Sequence, residues 1–295
     1  MQPKLYIIDA SIFIFRYYFS MPSNWFASNG RPTETVYGYA LWLLKFIERE
    51  SPNNVVACFD ESLGSCFRND IYPDYKSSRA FPDDDLAFQL LACKKITALL
   101  GVPSFASDRY EADDLAGCFA KLCLKQNKPY TVLTRDKDLA QLVYGDLGSL
   151  WDYPDKAPLL RGDIIEKHGI RPEQVADYLA LVGDTSDDIP GVPSVGAKTA
   201  QALLAYYSGW ADIKAHLASL HELPIRGAKS LGEKLQQYSE QIDMALKLSQ
   251  IKTDAVPVKW GDTRVNKVKR DEILELALGL GFPSSFMKKV EALSS

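Results

Sequence analysis

Acidic residues stand at three places where a parallel sheet would gather them. Asp9 ends the apolar run Leu5 to Ile8, Asp60 ends the run Asn54 to Phe59, and Arg135-Asp136-Lys137-Asp138 follows Tyr130 to Thr134. Each run reads as a buried strand, and in open α/β sheets ligands bind beyond the carboxyl ends of the strands. Any one of these Asp residues could simply cap the helix that follows. Three strands delivering acids to one edge are harder to reduce to capping. A fourth group, Glu111, Asp113 and Asp114, opens an amphipathic stretch whose core stripe is Leu115, Phe119 and Leu122. Asp108 and Glu111 have the spacing of a capping box, with Asp108 as N-cap. That accounts for Asp108 and leaves Glu111 and Asp114 turned towards the buried face, where carboxylates need a counter-charge. A divalent cation is the simplest supplier, since crowded carboxylates otherwise raise one another's pKa. The last cluster, Gly183 to Gly191, carries Asp184, Asp187 and Asp188. Alone it could be a calcium-type loop or a helix end with its caps, although its composition suits hard oxygen ligation.

The rest of the composition narrows the metal. The three histidines, His168, His216 and His221, lie outside these clusters, and the five cysteines form no CxxC pair. This favours Mg²⁺ or Mn²⁺ over zinc. The cysteines sit mainly in apolar runs and read as buried thiols of a reducing cytoplasm. The chain shows neither a signal peptide nor an apolar run of the roughly 20 residues a membrane span needs. Its formal net charge of −4 argues mildly against a nucleic-acid binder. That argument lapses if the acids serve one metal site, because two divalent ions restore positive charge locally.

These groups need elements to hold them. Amphipathic stretches at Thr35 to Arg49, Leu86 to Leu100 and Tyr110 to Lys125 separate the strands. Strands alternating with helices of this length imply an α/β fold, a largely parallel twisted sheet with helices on both faces. From Arg161 onward the pattern becomes short helices broken by Gly and Pro, so a soft boundary falls at 155–165, giving units 1–160 and 161–295. The polar stretch Tyr72 to Asp85 is long for a connection between strand and helix, and long connections tend to be functional or mobile.

The ordered set of motifs resembles the 5′-nuclease family, which includes flap endonucleases and the 5′-nuclease domain of bacterial DNA polymerase I. It comprises Asp9, Phe59-Asp60, Tyr110-Glu111-Ala112-Asp113-Asp114, Thr134-Arg135-Asp136-Lys137-Asp138 and Gly183-Asp184-Thr185-Ser186-Asp187. Further matches are Gly30-Arg31-Pro32-Thr33, Phe67-Arg68, Tyr72-Pro73-Asp74-Tyr75-Lys76 and Gly191-Val192-Pro193-Ser194-Val195-Gly196-Ala197-Lys198-Thr199-Ala200. Each motif is weak alone; in order, from about residue 4 to residue 250, they are specific. Glu34 departs from the small residue expected after Pro-Thr, and Asp188 stands where the family often has Asn. The sequence past about residue 255 resembles nothing nameable, and its Lys267-Val268-Lys269-Arg270 run reads as a solvated helix end.

The resemblance implies a PIN-like fold with a helical arch at about 68–85 and a helix–hairpin–helix at about 183–208. It implies two metal ions: one held by Asp9, Asp60, Glu111, Asp113 and Asp114, the other by Asp136, Asp138, Asp184 and Asp187. Two metals roughly 4 Å apart can activate water and stabilise the leaving oxygen of a phosphodiester. Lys76, Arg68 and Arg79 would supply cations to the scissile phosphate, while Tyr72 and Tyr75 could stack on an unpaired base. Gly191 and Gly196, with Val195, Lys198 and Thr199, would form a hairpin that meets a DNA phosphate, with potassium bound there as a further expectation. The implied activity is that of a flap endonuclease and 5′–3′ exonuclease, in a monomeric, free-standing bacterial protein. It would act on DNA with 5′ flaps, ends or junctions, with RNA primers as a second substrate, in replication and repair. Two other readings are a non-catalytic binder of branched DNA and a PIN-type ribonuclease; the latter is usually shorter and lacks the helix–hairpin–helix.

Overall fold

Five short apolar segments make one parallel sheet among the residues described by the computed structural model, 4–225 and 227–293. They are β1 (Leu5–Asp9), β2 (Asn54–Asp60), β3 (Ser104–Ser107), β4 (Tyr130–Leu133) and β5 (Gly148–Trp151), in the spatial order β3-β2-β1-β4-β5. The chain leaves β1 for one side and returns on the other, so the strand order reverses at β1. Open α/β sheets place their crevice at such a point. The edge strands β3 and β5 escape sequence reading because Ser-Phe-Ala-Ser and Gly-Ser-Leu-Trp are short and partly polar, as edges tend to be.

Helices α1 (Ala10–Ser20), α2 (Glu34–Glu50), α3 (Phe67–Ile71), α4 (Asp84–Leu99) and α5 (Ala112–Lys125) connect these strands. Successive strand residues point to opposite faces, and the two cores divide accordingly. Tyr6, Ile8, Val55 and Ala57 meet α1, α2 and α4. Leu5, Ile7, Val56 and Cys58 meet α5, and that core continues into the helical region. This region holds α6 (Arg161–His168), α7 (Val175–Val182), α8 (Ala197–Tyr206), α9 (Trp210–Ala215), α10 (Ala228–Gln237) and α11 (Ser239–Ser249). A helix–hairpin–helix arrangement is present as α7, the loop 183–196 and α8.

In the segment 68–85, expected as the arch, α3 ends at Ile71, turns run from Pro73 to Ser78, and α4 begins at Asp84. The helical region past residue 161 divides its packing. The last helices, α12 (Arg270–Gly279) and α13 (Ser284–Glu291), return to the first core through Ile273, Ala277, Phe282, Phe286 and Val290. The returning extended stretch is pinned by Val265 N–H on Asn53 O at 3.2 Å and Asn266 N–H on Gly101 O at 2.8 Å. Gly101, at φ +84°, admits this approach because a Cβ there would lie 2.3 Å from Asn266 O. The tail also reaches the loop before α2: Thr33 Oγ1 donates to Leu280 O at 3.0 Å. Glu34, the family departure, lies buried in the first turn of α2 with Oε2 unpartnered. The aliphatic and aromatic spacing of the tail carried this information, but no family motif pointed to its docking partner.

Phe286 is 1 % exposed and packs at 5.0 Å between ring centroids on Phe282. Phe286→Ala should cost about 3–5 kcal/mol, as for other buried Phe truncations. The cost would appear as a lower urea midpoint at unchanged slope. A loss below about 1 kcal/mol would show that the tail adds little to the first core.

Candidate active site

The carboxyl ends of β1, β2 and β4, the start of α5 and the loop after α7 open onto one cavity of about 250 Å³. Eight of the predicted acids line it: Asp9, Asp60, Glu111, Asp113, Asp136, Asp138, Asp184 and Asp187. Local hydrogen bonds aim them. Asp9 caps α1 by accepting from Ile12 N–H at 3.3 Å, and it accepts from Thr134 Oγ1 at 2.9 Å. The parallel register sets Asp9 level with Cys58, two residues before Asp60 on the neighbouring strand, and Asp60 N–H donates to Ser11 Oγ at 3.0 Å. Asp136 N–H donates to Thr134 Oγ1 at 2.9 Å, and Asp138 N–H donates to Asp136 Oδ1 at 2.8 Å. In the loop after α7, Ser186 donates to Asp184 Oδ1 through N–H at 2.8 Å and Oγ at 2.7 Å. The cap of α5 is Glu111 rather than Asp108, and Asp114 accepts the Glu111 N–H at 3.2 Å.

Crowding shows in the acidities. Burial, then the charge of Asp136, pushes Asp9 up to about 7. Burial with Asp136 and Asp184 does the same for Asp138, also to about 7. Asp113 is raised well above the carboxylate range by burial and by Asp9 and Asp136. Burial raises Asp187 as well. Asp60 keeps more surface than the others yet is crowded by protein, and desolvation and Glu111 raise it. Glu111 goes the other way: burial opposes its charge, but Lys76 and Arg68 outweigh that and lower its pKa.

Lys76 bridges Glu111 and Asp187, the latter at 3.6 Å. Arg79 pairs with Asp187 at 2.6 Å and donates through Nε to Ser186 O at 3.2 Å. Asp188, the other family departure, accepts Ser78 N–H at 2.9 Å and so ties the acidic loop to the segment carrying both cations. Among the described residues no three acids converge closely enough to grip one ion as they stand. Their chemistry nevertheless fits a hard divalent cation: eight carboxylates face one cavity whose lining has no thiol or imidazole.

Several predicted residues make chiefly internal contacts, although Arg68 and Tyr75 also line the cavity. Asp114 does not line the cavity. It is fully buried, grips Arg68 at 2.7 and 2.9 Å, and accepts Lys252 N–H at 2.8 Å. Arg68, 2 % exposed, also donates to Leu248 O at 2.7 Å and Gln250 O at 3.2 Å and pairs with Glu111 at 2.9 Å. The pair is an internal clamp joining α3, α5 and the end of α11. Tyr75 is 3 % exposed, and its hydroxyl donates to Glu111 and Asp187 at 2.8 and 3.2 Å. It therefore has no free face for a base, while Tyr72 is half-buried. In the hairpin Val195 is buried, and a Cβ on Gly191 would sit 2.0 Å from Val182 O. Gly191 thus serves an internal close approach. Gly196 and Lys198 are exposed and Thr199 half-buried at the start of α8.

Among the lining residues that escaped the sequence reading are Ser11, Phe15 and Gln141. Gln141 links the loop after β4 to α11, donating to Ser249 O at 2.9 Å and accepting Ile251 N–H at 3.3 Å. Phe15 stacks on Phe19, which is 80 % exposed. The signal for Phe15 was present, since Phe13 and Ile14 supply the inward stripe of α1 and leave Phe15 and Phe19 over.

Comparison with protein families matches residues 4–175 to "5′-3′ exonuclease, N-terminal resolvase-like domain" and residues 170–271 to "5′-3′ exonuclease, C-terminal SAM fold". The chain is 36 % identical to DNA polymerase I of Pseudomonas aeruginosa over 86 % of its own length, and it spans 28 % of that relative. It is 31 % identical to a 5′-3′ exonuclease of Buchnera aphidicola subsp. Schizaphis graminum, over 87 % of this chain and 88 % of that one. Among solved structures, the fold superposes on the bacteriophage T5 flap endonuclease in complex with DNA and metal ions, with a TM-score of 0.63 and 20 % identity. That match covers 98 % of each chain.

Two outcomes follow from the electrostatics. Asp114→Ala would strip the buried Arg68 of its bidentate partner and leave it Glu111 alone, a loss of up to about 3–5 kcal/mol. Asp184→Ala should change the urea midpoint little, so equal effects would contradict the clamp. Asp9 and Asp138 are raised to about 7 in the fold, against about 3.9 unfolded. Their contribution therefore favours the fold below about pH 4 and is lost as pH rises through about 7. With divalent cations chelated, the thermal midpoint should fall between about pH 5 and pH 8, and Asp138→Asn should shrink that fall. A midpoint that climbs over this range, or an unchanged slope in the variant, would refute the crowding.

Proposed function

Because the chain belongs to the 5′-3′ exonuclease family, we propose that it hydrolyses phosphodiester bonds in DNA at 5′ ends and 5′ flaps, with two Mg²⁺ or Mn²⁺ ions. The carrying observation is the cavity at the sheet's carboxyl edge, lined by eight carboxylates with Lys76 and Arg79 among them. Asp9, Asp60, Glu111 and Asp113 are suited to hold one ion, and Asp136, Asp138, Asp184 and Asp187 the other. When bound, such ions lower the pKa of an attacking water and steady the leaving oxygen.

The chain's own groups do the remainder. Lys76 and Arg79 place positive charge where a phosphate would lie and offset the charge that builds on it during cleavage. Both come from the segment 72–79, whose ties to Ser186, Asp187 and Asp188 hold it over the cavity. Arg68 and Asp114 act behind them, fixing Glu111 against burial. Phe15, exposed to the cavity beside Phe19, offers an aromatic face for an unpaired base. The start of α8, with the N–H groups after Gly196 and the side chains of Lys198 and Thr199, suits a backbone phosphate held without reading sequence. Potassium at the hairpin would add to that anchor. Products would carry a 5′-phosphate, and both flaps and RNA primers are substrates on this reading, in replication and repair by a monomer. A cytoplasmic setting agrees with five buried, unbridged cysteines.

The test is cleavage of a 5′-flap duplex with Mg²⁺, with EDTA, and by Asp184→Ala. Cutting near the junction should require Mg²⁺ and fall on the order of 100-fold or more in the variant, as when one preorganised charge-stabilising group is removed. Tight binding without cutting under any divalent metal would reject the enzyme in favour of a non-catalytic junction binder.

A further inference from the structure

We propose that a basic cleft beside the acidic cavity holds one backbone phosphate of the substrate strand between the cleavage position and the hairpin helix, a site that rests on the nuclease reading above. The cleft measures about 140 Å³. Arg135 and Lys137 from the loop after β4, Lys156 from the turn after β5 and Lys167 from the last turn of α6 rim it. All four are exposed, and His168 adds a fifth basic group. The one carboxylate lining the cleft away from the acidic cavity, Asp152, is shared by Arg135 at 3.5 Å and Lys156 at 3.2 Å. Among the described residues neither Lys137 nor Lys167 forms an ion pair. Burial, then the ammonium groups of Lys167 and Lys137, holds the His168 imidazole below its usual range. Unbalanced positive charge of this density stands out in a chain of formal net charge −4, and a concave surface of one sign concentrates ligands of the other.

Position selects the anion. Asp136 and Lys137 line both the acidic cavity and this cleft. On the far side Gln201 of α8 donates to His168 O at 2.8 Å, so the cleft lies between the cavity and the hairpin helix. A small free anion gains nothing from sitting beside eight carboxylates. A phosphodiester chain does, because one phosphate in the cleft keeps its neighbours aligned with the cavity and with the start of α8. Lysines on flexible stems suit such a contact, which fixes the position of the strand and carries no base information.

The test is binding of a labelled 5′-flap duplex in EDTA, followed by fluorescence anisotropy across a potassium chloride series. Wild type would be compared with Lys137→Ala/Lys167→Ala, with Lys137→Arg/Lys167→Arg, and with Lys288→Ala/Lys289→Ala on α13 as an equal loss of charge elsewhere. Losing one phosphate contact should weaken binding roughly 3- to 10-fold and reduce the slope of log K against log salt by about 0.9. The arginine variant should restore both, and the α13 variant should match wild type. Wild-type affinity and slope in the alanine variant would overturn the proposal, as would an equal loss in the α13 variant. Unchanged DNA binding with lost binding of polyglutamate would reassign the cleft to an acidic protein. Wild-type protein that fails to bind the duplex at all would overturn the nuclease reading and this site with it.

Discussion

Mutual repulsion among eight carboxylates in one cavity is the constraint from which the rest of the architecture follows. Burying and crowding such groups opposes folding: burial first, then neighbouring carboxylates, raises Asp9, Asp113 and Asp138. The fold tolerates it by making every approach stiff. Asp9 and Asp60 leave from strand ends whose backbone the sheet register fixes, and Glu111 and Asp113 from the start of α5. Asp136 and Asp138 stand on the loop after β4, braced by the Asp136 N–H on Thr134 and the Asp138 N–H on Asp136. In the loop after α7, the Asp184–Ile189 bridge and the Gly191 close approach hold the backbone.

Around that cavity the charges are arranged in layers. Lys76 and Arg79 share the space with the acids, while Arg68 sits behind Glu111 and is itself balanced by Asp114. The buried pair matters less for its strength than for its geometry, since it fixes α3, α5 and the end of α11 relative to one another. A buried ion pair is weak evidence of net stability but strong evidence that losing either partner is costly. Hydrophobic packing on both sheet faces supplies the stability that the site withholds, and the returning tail α12–α13 completes one of those cores.

The sequence was most legible where one residue type can do only one thing. β1, β2 and β4 announce themselves as unbroken apolar runs, and their terminal acids follow from the sheet's geometry. β3 and β5 did not, because short edge strands need no continuous apolar run. Periodicity turned Asp114 towards the core and the family resemblance set it among the metal ligands, yet only the structure shows Arg68 already occupying its carboxylate. Tyr75 and Val195 have internal contacts that their motifs did not reveal, because a motif serves internal packing as readily as contact with a partner. The basic cleft depends on residues far apart in sequence converging in space, which no local pattern encodes.

The central claim is that the repulsion exists to be answered by cations, and anomalous X-ray scattering from crystals soaked in Mn²⁺ tests it most directly. The account predicts two manganese peaks in the acidic cavity, one against Asp9, Asp60, Glu111 and Asp113 and one against Asp136, Asp138, Asp184 and Asp187. Asp114 should still be bound to Arg68. An empty cavity at saturating Mn²⁺, or a manganese peak on Asp114 with Arg68 displaced, would contradict it.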